Sequence, residues 1–203
     1  MSTTLPGPDG RLRCRWCVST PEYTAYHDHE WGFPVDDDRR LFEKLSLEGF
    51  QSGLSWRTIL AKRENFRAAF QAFDIDRVAR FGPREVEHLL QDAGIVRHRG
   101  KIEAVIHNAR CAQELIAQEG SLAAYVWRYE AVPAMQAAPQ AGSTSPASAA
   151  MSKDLRKRGW KFVGPTTVYA FMQAMGLVND HAPDCIVRAA AQRERDGFRR
   201  PRA

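Results

Sequence analysis

The sequence of 203 residues contains only four cysteines, which are too few for a disulfide scaffold in a chain of this length. We therefore interpret them as core thiols, metal ligands or reactive groups. Long hydrophobic runs are also missing, because no apolar stretch approaches the length of a membrane span and residues 1–13 contain no apolar signal core. These absences argue against a disulfide-rich secreted domain and favour a cytoplasmic protein without a membrane partner.

Patterns typical of β-strands are scarce as well, since no stretch alternates apolar and polar residues long enough for a convincing strand. Apolar residues recur instead at helical spacing along most of the chain. Good examples are "LFEKLSLEGF" at 41–50, "PREVEHLLQDAG" at 83–94 and "PTTVYAFMQAMG" at 165–176. Because the chain is long enough to bury a sizeable core, the sequence predicts an all-α globular fold.

Composition divides the chain into three parts. We expect residues 1–11 to be a disordered N-terminal extension, residues 12–187 to form a single domain, and residues 188–203 to be a basic tail. Within the domain, residues 132–150 are rich in Ala, Pro and Ser, as is typical of an exposed connector. Six arginines against two carboxylates give the tail +4 of the net charge of +5, so the overall charge is weak support for nucleic-acid binding.

Potential zinc ligands occur near both ends of the domain: Cys14, Cys17, His27, His29, His181 and Cys185. The pair in "HAPDC" is spaced i, i+4, so both side chains could reach one ion from a helical turn. Spacing leaves two sets open, because Cys14 with Cys17, or Cys14 with His27, would each complete four ligands with that pair. A metal held this way would join the two ends of the domain. The alternative is that the cysteines are ordinary core thiols.

Aromatic residues are unusually dense in the first quarter of the chain: Trp16, Tyr23, Tyr26, Trp31 and Trp56. Their rings could stack on a base or a cation, or they could simply fill the core. Glu48 lies among apolar neighbours in "LFEKLSLEGFQSGLSW", and a carboxylate buried there would need a partner. That partner is either a structural hydrogen bond or a bound ligand, unless Glu48 lies on an exposed helix face.

The segment "LLQDAGIVRHRGKIEAVIHNAR" at 89–110 predicts two helices joined by a short turn that contains Gly94 and Gly100. Such a turn exposes backbone N–H groups next to the positive end of the second helix, which suits a phosphate. Arg97, Arg99 and Lys101 add positive charge there. An ordinary helical hairpin with a solvated basic loop would look much the same.

These segments together resemble the DNA-3-methyladenine glycosylase I family, which belongs to the helix-hairpin-helix glycosylase superfamily. The resemblance covers about residues 12–186 and rests on "CRWCVSTPEYTAYHDHEWG", "LEGFQSGLSW", the 89–109 segment, "KRGWKFVGPTT" and "GLVNDHAPDC". It implies an all-α, two-part fold around a DNA-facing pocket and a zinc ion that joins the N- and C-terminal segments. It further implies a monomer that excises 3-methyladenine from double-stranded alkylated DNA without lyase activity.

The resemblance also assigns individual residues. It places one structural Zn²⁺ per chain on Cys14, His27, His181 and Cys185, with Cys17 as an additional thiol that the family need not have. It places the base pocket on Trp16, Tyr23, Tyr26, Glu48 and Trp56, and Glu48 is also the candidate catalytic residue. It places DNA contacts on the turn that carries Gly94, Arg97, Arg99, Gly100 and Lys101.

One feature common in the superfamily is missing, because the region after the turn offers Asn108 but no catalytic Asp. Two other functions remain open at this point. A non-catalytic DNA-binding module would use the turn to grip phosphates and the aromatic residues as core. A zinc hydrolase would use the metal to activate water, which requires an open coordination position.

Overall fold

The computed structural model describes residues 2–130 and 142–202, and within these ranges it is mainly helical, as the sequence predicts. Two short strands, β1 (Thr4–Pro6) and β2 (Leu12–Cys14), pair in an antiparallel hairpin. Eleven α-helices lie in the described ranges: α1 (Pro21–His29), α2 (Asp38–Gln51), α3 (Trp56–Ala61), α4 (Arg63–Ala69), α5 (Ile75–Ala79), α6 (Pro83–Gln91), α7 (Arg99–Glu119), α8 (Leu122–Trp127), α9 (Pro146–Lys157), α10 (Pro165–Ala174) and α11 (Arg188–Gly197). None of the helices in the described ranges is both long and apolar enough to span a bilayer.

Helix α2 is the central element of the fold. Asp37 caps its N-terminus by accepting a hydrogen bond from the backbone N–H of Arg40, and the helix contacts α3, α7, α8 and α10. Because neighbours surround it, α2 is buried along most of its length, including the polar residues Lys44 and Glu48. A charged side chain on such a helix must find its partner inside the protein.

The N-terminal residues differ from the prediction of a disordered extension for residues 1–11. Thr4 pairs with Cys14, and the turn between the strands closes through a hydrogen bond from the Gly10 N–H to the Gly7 carbonyl. Arg13 is nearly buried and binds the carboxylates of Asp9 and Asp28, at 2.6 and 2.9 Å. These local polar contacts, which hydrophobic periodicity does not register, order the segment and fix the position of Cys14.

The basic tail, residues 188–203, begins as helix α11 and packs against the body of the protein. Arg195 is buried and binds Glu130 at 2.9 Å, and the ring of Phe198 lies 4.4 Å from that of Trp127. The high charge of the tail gives no indication of these two packing contacts in the sequence. Part of its positive charge is therefore neutralised within the fold.

The connector predicted for residues 132–150 lies partly outside the described residues, which resume at 142. Its C-terminal end is not an extended linker, because residues 146–150 form the first turns of α9. Ser145 and Ser148 bond each other's backbone N–H groups in a capping box, and Met151 is buried. The Ser and Pro residues that suggest a loop therefore act here as a helix start signal.

Candidate functional site

Three potential metal-ligand side chains from distant parts of the chain lie close together in the fold. Cys14 is the last residue of β2, His27 lies in α1, and Cys185 lies in the loop before α11. All three are buried, and one ligand atom from each lies within 4.8 Å of the other two. A hydrogen bond from Cys14 lowers the pKa of the Cys185 thiol, which favours the thiolate, the form that binds metals. This group could hold a metal ion and would join the two ends of the domain.

His181 lies beside this group, with its ring centroid 5.0 Å from that of His27. Its Nδ1 bonds Asn179 Oδ1 at 2.9 Å, while its buried Nε2 has no hydrogen-bond partner in the described part of the chain. His27 is arranged in the same way, because its Nδ1 bonds Asp28 Oδ1 at 2.8 Å. Such partners hold the proton on Nδ1 and leave Nε2 as an electron-pair donor, which is the usual arrangement of metal-binding histidines.

The other two potential ligands are placed differently. His29 lies exposed at the end of α1, and Cys17, although fully buried, is not among the three residues whose ligand atoms converge. Of the two sets that spacing left open, the geometry favours the one that contains His27. Asp28 and Asn179, which orient the two histidines, are contacts that the sequence analysis did not identify.

The five predicted pocket residues line a single cavity of about 310 Å³, at the lower end of the size range of small-ligand pockets: Trp16, Tyr23, Tyr26, Glu48 and Trp56. Ring centroids are 4.9 Å apart for Trp16 and Tyr23, and 5.5 Å apart for Tyr26 and Trp56. A larger open cleft of about 840 Å³ lies between α4 and α6 and is lined by none of these residues. The aromatic cavity therefore defines the candidate site.

Glu48 is buried in this cavity and its partner is Lys44, one helical turn earlier on α2. Lys44 Nζ lies 2.7 Å from Glu48 Oε1 and donates a hydrogen bond to Tyr26 Oη at 2.9 Å. It also lies 3.1 Å from the centroid of the Trp56 ring. Burial lowers the pKa of Lys44 to about 8, so it is charged at neutral pH. Sequence reasoning missed Lys44, although its i, i+4 spacing from Glu48 is a recognisable signal.

A second carboxylate lines the same cavity. Asp180 directly precedes His181, and its Oδ2 accepts hydrogen bonds from Tyr169 Oη at 2.6 Å and from Gln173 Nε2 at 2.8 Å. The sequence analysis did not single out Asp180, because only the folded structure places it in the wall of the pocket.

The predicted hairpin is present as α6, the loop 92–98 and α7. The Gly94 N–H donates to Asp92 Oδ1 at 2.7 Å, and its carbonyl accepts from Lys62 Nζ at 3.2 Å. A Cβ atom at Gly94 would lie 2.9 Å from that Asp92 oxygen and 3.1 Å from Asn65, so the loop is closely packed at this position. Arg97 is exposed, whereas Arg99 is bound by Glu87 at 2.7 Å. Gly100 lies in the first turn of α7.

Lys101 departs from the predicted role of phosphate contact. It is 7 % exposed, and its Nζ donates to the carbonyls of Phe50 and Ser52, at 2.9 and 2.6 Å. Those carbonyls belong to the C-terminal end of α2, where a cation is favourable. Lys101 therefore links the hairpin to the helix that carries Glu48.

Comparison with known proteins gives a consistent result. The model of the methyladenine glycosylase family matches residues 16–189. The chain is 50% identical over 178 residues to DNA-3-methyladenine glycosylase 1 of Escherichia coli (strain K12), covering 85% of this chain and 95% of that protein. It is 41% identical over 180 residues to DNA-3-methyladenine glycosylase of Haemophilus influenzae, covering 85% and 96%.

Solved structures are similar as well. A crystal structure of 3-methyladenine DNA glycosylase I is 49% identical, with a TM-score of 0.77, and the match covers 86% of this chain and 98% of that one. A structure of the Staphylococcus aureus enzyme that concerns 3-methyladenine recognition is 34% identical, with a TM-score of 0.79 and coverage of 87% and 96%.

Proposed function

The chain belongs to the methyladenine glycosylase family and is thus an enzyme that acts on N-glycosyl bonds, and we propose that its substrate is 3-methyladenine in double-stranded alkylated DNA. The observation that carries the proposal is the buried aromatic cavity with Glu48 in its wall. Membership of an enzyme family argues against a DNA-binding module that performs no reaction.

The reaction has a simple charge balance. A purine methylated at N3 carries a positive charge while it is attached to the sugar. When the glycosidic bond breaks, both bonding electrons go to the base, which leaves neutral, and the positive charge moves to the sugar. Water then adds to the sugar carbon and loses a proton, so the bond is hydrolysed. Because the leaving base needs no proton, recognition supplies much of the selectivity.

The pocket residues have distinct roles in this recognition. The damaged nucleotide flips out of the duplex, and its base enters between aromatic faces such as Trp56. A cationic ring gains about 0.5–2 kcal/mol from each well-placed aromatic face, whereas neutral adenine gains far less. Glu48 accepts a hydrogen bond from the base edge and opposes its charge, which favours the lesion over normal bases.

We assign a structural zinc ion to Cys14, His27, His181 and Cys185. The buried Nε2 of His181 without a partner among the described residues, and the Nδ1 partners of both histidines, support this donor set. A zinc ion with four protein ligands stabilises a fold and has no open position for water, so this set does not suit a zinc hydrolase.

We assign the DNA contact to the hairpin. The exposed side chain of Arg97 on the 92–98 loop is suited to phosphates, which fix the position of the duplex without reading its sequence. The proposed pocket, metal group and hairpin all lie on one chain, so a monomer contains the complete site. The proposed reaction forms no covalent link to DNA, because the hairpin lysine, Lys101, is buried against carbonyl groups.

The experiment that tests this function is base release from DNA carrying radiolabelled methyl groups, with products separated by chromatography. We expect 3-methyladenine in the product and no release from unmethylated DNA. Borohydride trapping should give no protein–DNA adduct. Tight binding of methylated DNA without base release would contradict the proposal, and a trapped adduct that disappears in Lys44→Met would contradict the absence of lyase activity.

A further inference from the structure

The base pocket contains a cation of its own. Lys44 is 6 % exposed, and its ammonium meets three groups in the cavity: the carboxylate of Glu48 at 2.7 Å, the hydroxyl of Tyr26 at 2.9 Å and the ring face of Trp56 at 3.1 Å. An ammonium is costly to bury unless such partners surround it. Neither the sequence motifs nor the proposed reaction accounts for a lysine at this position.

The partners of Lys44 are the groups that the proposed function gives to the damaged base. A cationic purine needs an aromatic face and a carboxylate, and both are engaged by Lys44 Nζ. A cationic base and the Lys44 ammonium, both in contact with the Glu48 carboxylate, would repel each other. Because the site has low solvent exposure, water and salt screen this repulsion poorly. The base and the ammonium therefore compete for the same position.

The structure also contains a place to which the ammonium can move. Lys44 also borders a second, small cavity of about 30 Å³, which shares Tyr26 and Trp56 with the base pocket. Glu30 and Glu43 line it, together with Arg40, Arg63 and Arg67. These carboxylates are bound by Arg63 at 2.6 Å and Arg67 at 2.7 Å, respectively. A rotation of the flexible lysine side chain would carry Nζ towards them without leaving the protein interior.

We propose that Lys44 is a specificity-determining residue that acts as the internal counter-ion of the base pocket and is displaced from Glu48 by the flipped base. This inference rests on the proposed function. A cationic base is repelled by the ammonium and binds only at the cost of moving it off Glu48, whereas a neutral purine is not repelled and binds with Lys44 left in place. After the glycosidic bond breaks, the base is neutral and Lys44 returns to Glu48. Lys44 thereby lowers the preference of the pocket for cationic over neutral purines.

Calorimetric binding to three small ligands tests the proposal. The ligands are 3,9-dimethyladeninium, a permanent cation that mimics the N9-substituted lesion, and the neutral bases 3-methyladenine and 9-methyladenine. They are titrated into wild type, Lys44→Met and Lys44→Gln. The glutamine variant keeps a hydrogen-bond donor but removes the charge. We expect both variants to raise the ratio of cation affinity to neutral affinity by about tenfold or more, the range of a charge-assisted hydrogen bond.

A second measurement needs no variant. In a crystal structure of the wild-type protein with 3,9-dimethyladeninium, we expect Lys44 Nζ to lie more than about 4 Å from Glu48, beyond ion-pair distance. An ammonium that stays on Glu48 beside the bound cation would overturn the proposal, even if a variant proved unstable in melting curves. So would an unchanged affinity ratio in both variants, or an equal rise for all three ligands, which would mean that Lys44 only fills space.

Base release from methylated DNA by the same preparations separates this proposal from the proposed function. Release of 3-methyladenine together with an unchanged affinity ratio contradicts only the role of Lys44. Absence of release from wild type contradicts the function itself.

Discussion

The metal-binding group and the base pocket are neighbours, but their polar atoms are satisfied in opposite ways. In the metal group, Nε2 of His181 is buried without a hydrogen-bond partner among the described residues. In the pocket, Glu48 is bound by Lys44, which also bonds Tyr26. The proposed zinc ion would complete the first group, whereas the second is already charge-paired, so a ligand must compete for it.

The two regions also share a wall. The ring of Trp31 lies 4.7 Å from that of His181 and 5.1 Å from that of Trp16, which lines the pocket. Trp16 itself contacts the ring of His27, at 5.3 Å. Damage to the metal group should therefore reach the pocket through packed aromatic rings, whereas a change of charge in the pocket should leave the metal group intact.

The largest effect is expected from removing a metal ligand. Cys14→Ala or His181→Ala should lose about one equivalent of zinc, measured by elemental analysis. Loss of a structural metal is among the few changes that cost more than about 4 kcal/mol. For a chain of this size that corresponds to a fall in Tm of at least about 8 °C.

The matched control is His29→Ala, because His29 is an exposed histidine close in sequence to the ligands. It should keep both zinc and Tm. Stoichiometric zinc in a Cys14→Ala, His27→Ala double variant would show that Cys17 or His29 belongs to the ligand set. Unchanged base affinity in a zinc-free variant that still folds would break the connection between the two regions.

The helical content could be anticipated because its signal, hydrophobic periodicity, is local. The pocket and ligand residues were named by the family resemblance, which rests on motifs that run in order along the chain. The directions of long side chains could not be anticipated. Lys101 looks like a phosphate contact in "RHRGK", yet the end of α2 draws its ammonium inward. Lys44 reads as a surface residue until α3, α7, α8 and α10 enclose its helix. Such outcomes depend on tertiary packing, which a single sequence does not display.

The contacts that hold the chain ends could not be anticipated for a related reason. Low hydrophobicity and high charge indicate disorder or a solvated tail when they are averaged over a segment. In the fold, single residues decide the outcome: Arg13 binds Asp9 and Asp28 to order the N-terminal hairpin, and Phe198 packs against Trp127 to hold the C-terminal residues. The average composition of a segment does not reveal the contacts that a single arginine or phenylalanine makes.

The second largest effect is expected from Glu48→Gln, which breaks the charge pair on the pocket side of the comparison. The variant leaves a buried ammonium on Lys44 without its carboxylate, so the loss of stability should approach the 3–5 kcal/mol typical of a broken buried ion pair, about 6 °C or more in Tm. Affinity for 3,9-dimethyladeninium should fall about ten- to a hundredfold, and affinity for 9-methyladenine should fall less.

Glu103→Gln on the exposed face of α7 is the matched control and should change neither Tm nor ligand affinity. Zinc content should stay at one equivalent in both variants, as the comparison of the two regions requires. Equal losses of affinity for the cationic and the neutral ligand would mean that Glu48 holds the shape of the pocket, and selectivity would then lie with the aromatic rings.

The pKa of Lys44 predicts how the pocket responds to pH. Because burial lowers it from 10.5 to about 8, the folded protein releases this proton before the unfolded chain does. Between about pH 8 and 10.5 the unfolded state therefore binds more protons, and the free energy of unfolding rises with pH. Glu48, Glu30 and Arg63 also act on this ammonium, and Tyr26 stays neutral because burial raises its pKa well above 10.

We expect wild type to gain stability relative to Lys44→Met as pH increases from 8 to 10, measured by denaturant unfolding at each pH. Subtracting the variant removes the contribution of all groups that titrate in both proteins. A flat difference would mean that Lys44 keeps its proton throughout this range, and a falling one would mean that its pKa is raised by Glu48.

The smallest effect is expected from the hairpin, which lies outside both regions and sharpens the contrast between them. Arg97 is exposed, so Arg97→Gln should weaken binding to all DNA sequences alike and reduce the slope of log affinity against log salt by about 1. Arg99→Gln should have less effect, because Glu87 and Glu103 already lie 2.7 and 3.7 Å from its guanidinium. Neither change should alter zinc content or the affinity for free 3-methyladenine. An unchanged salt slope in an Arg97→Gln, Arg99→Gln double variant would move the DNA contact to another face, with the exposed basic residues Arg156, Lys157 and Lys161 as the next to neutralise.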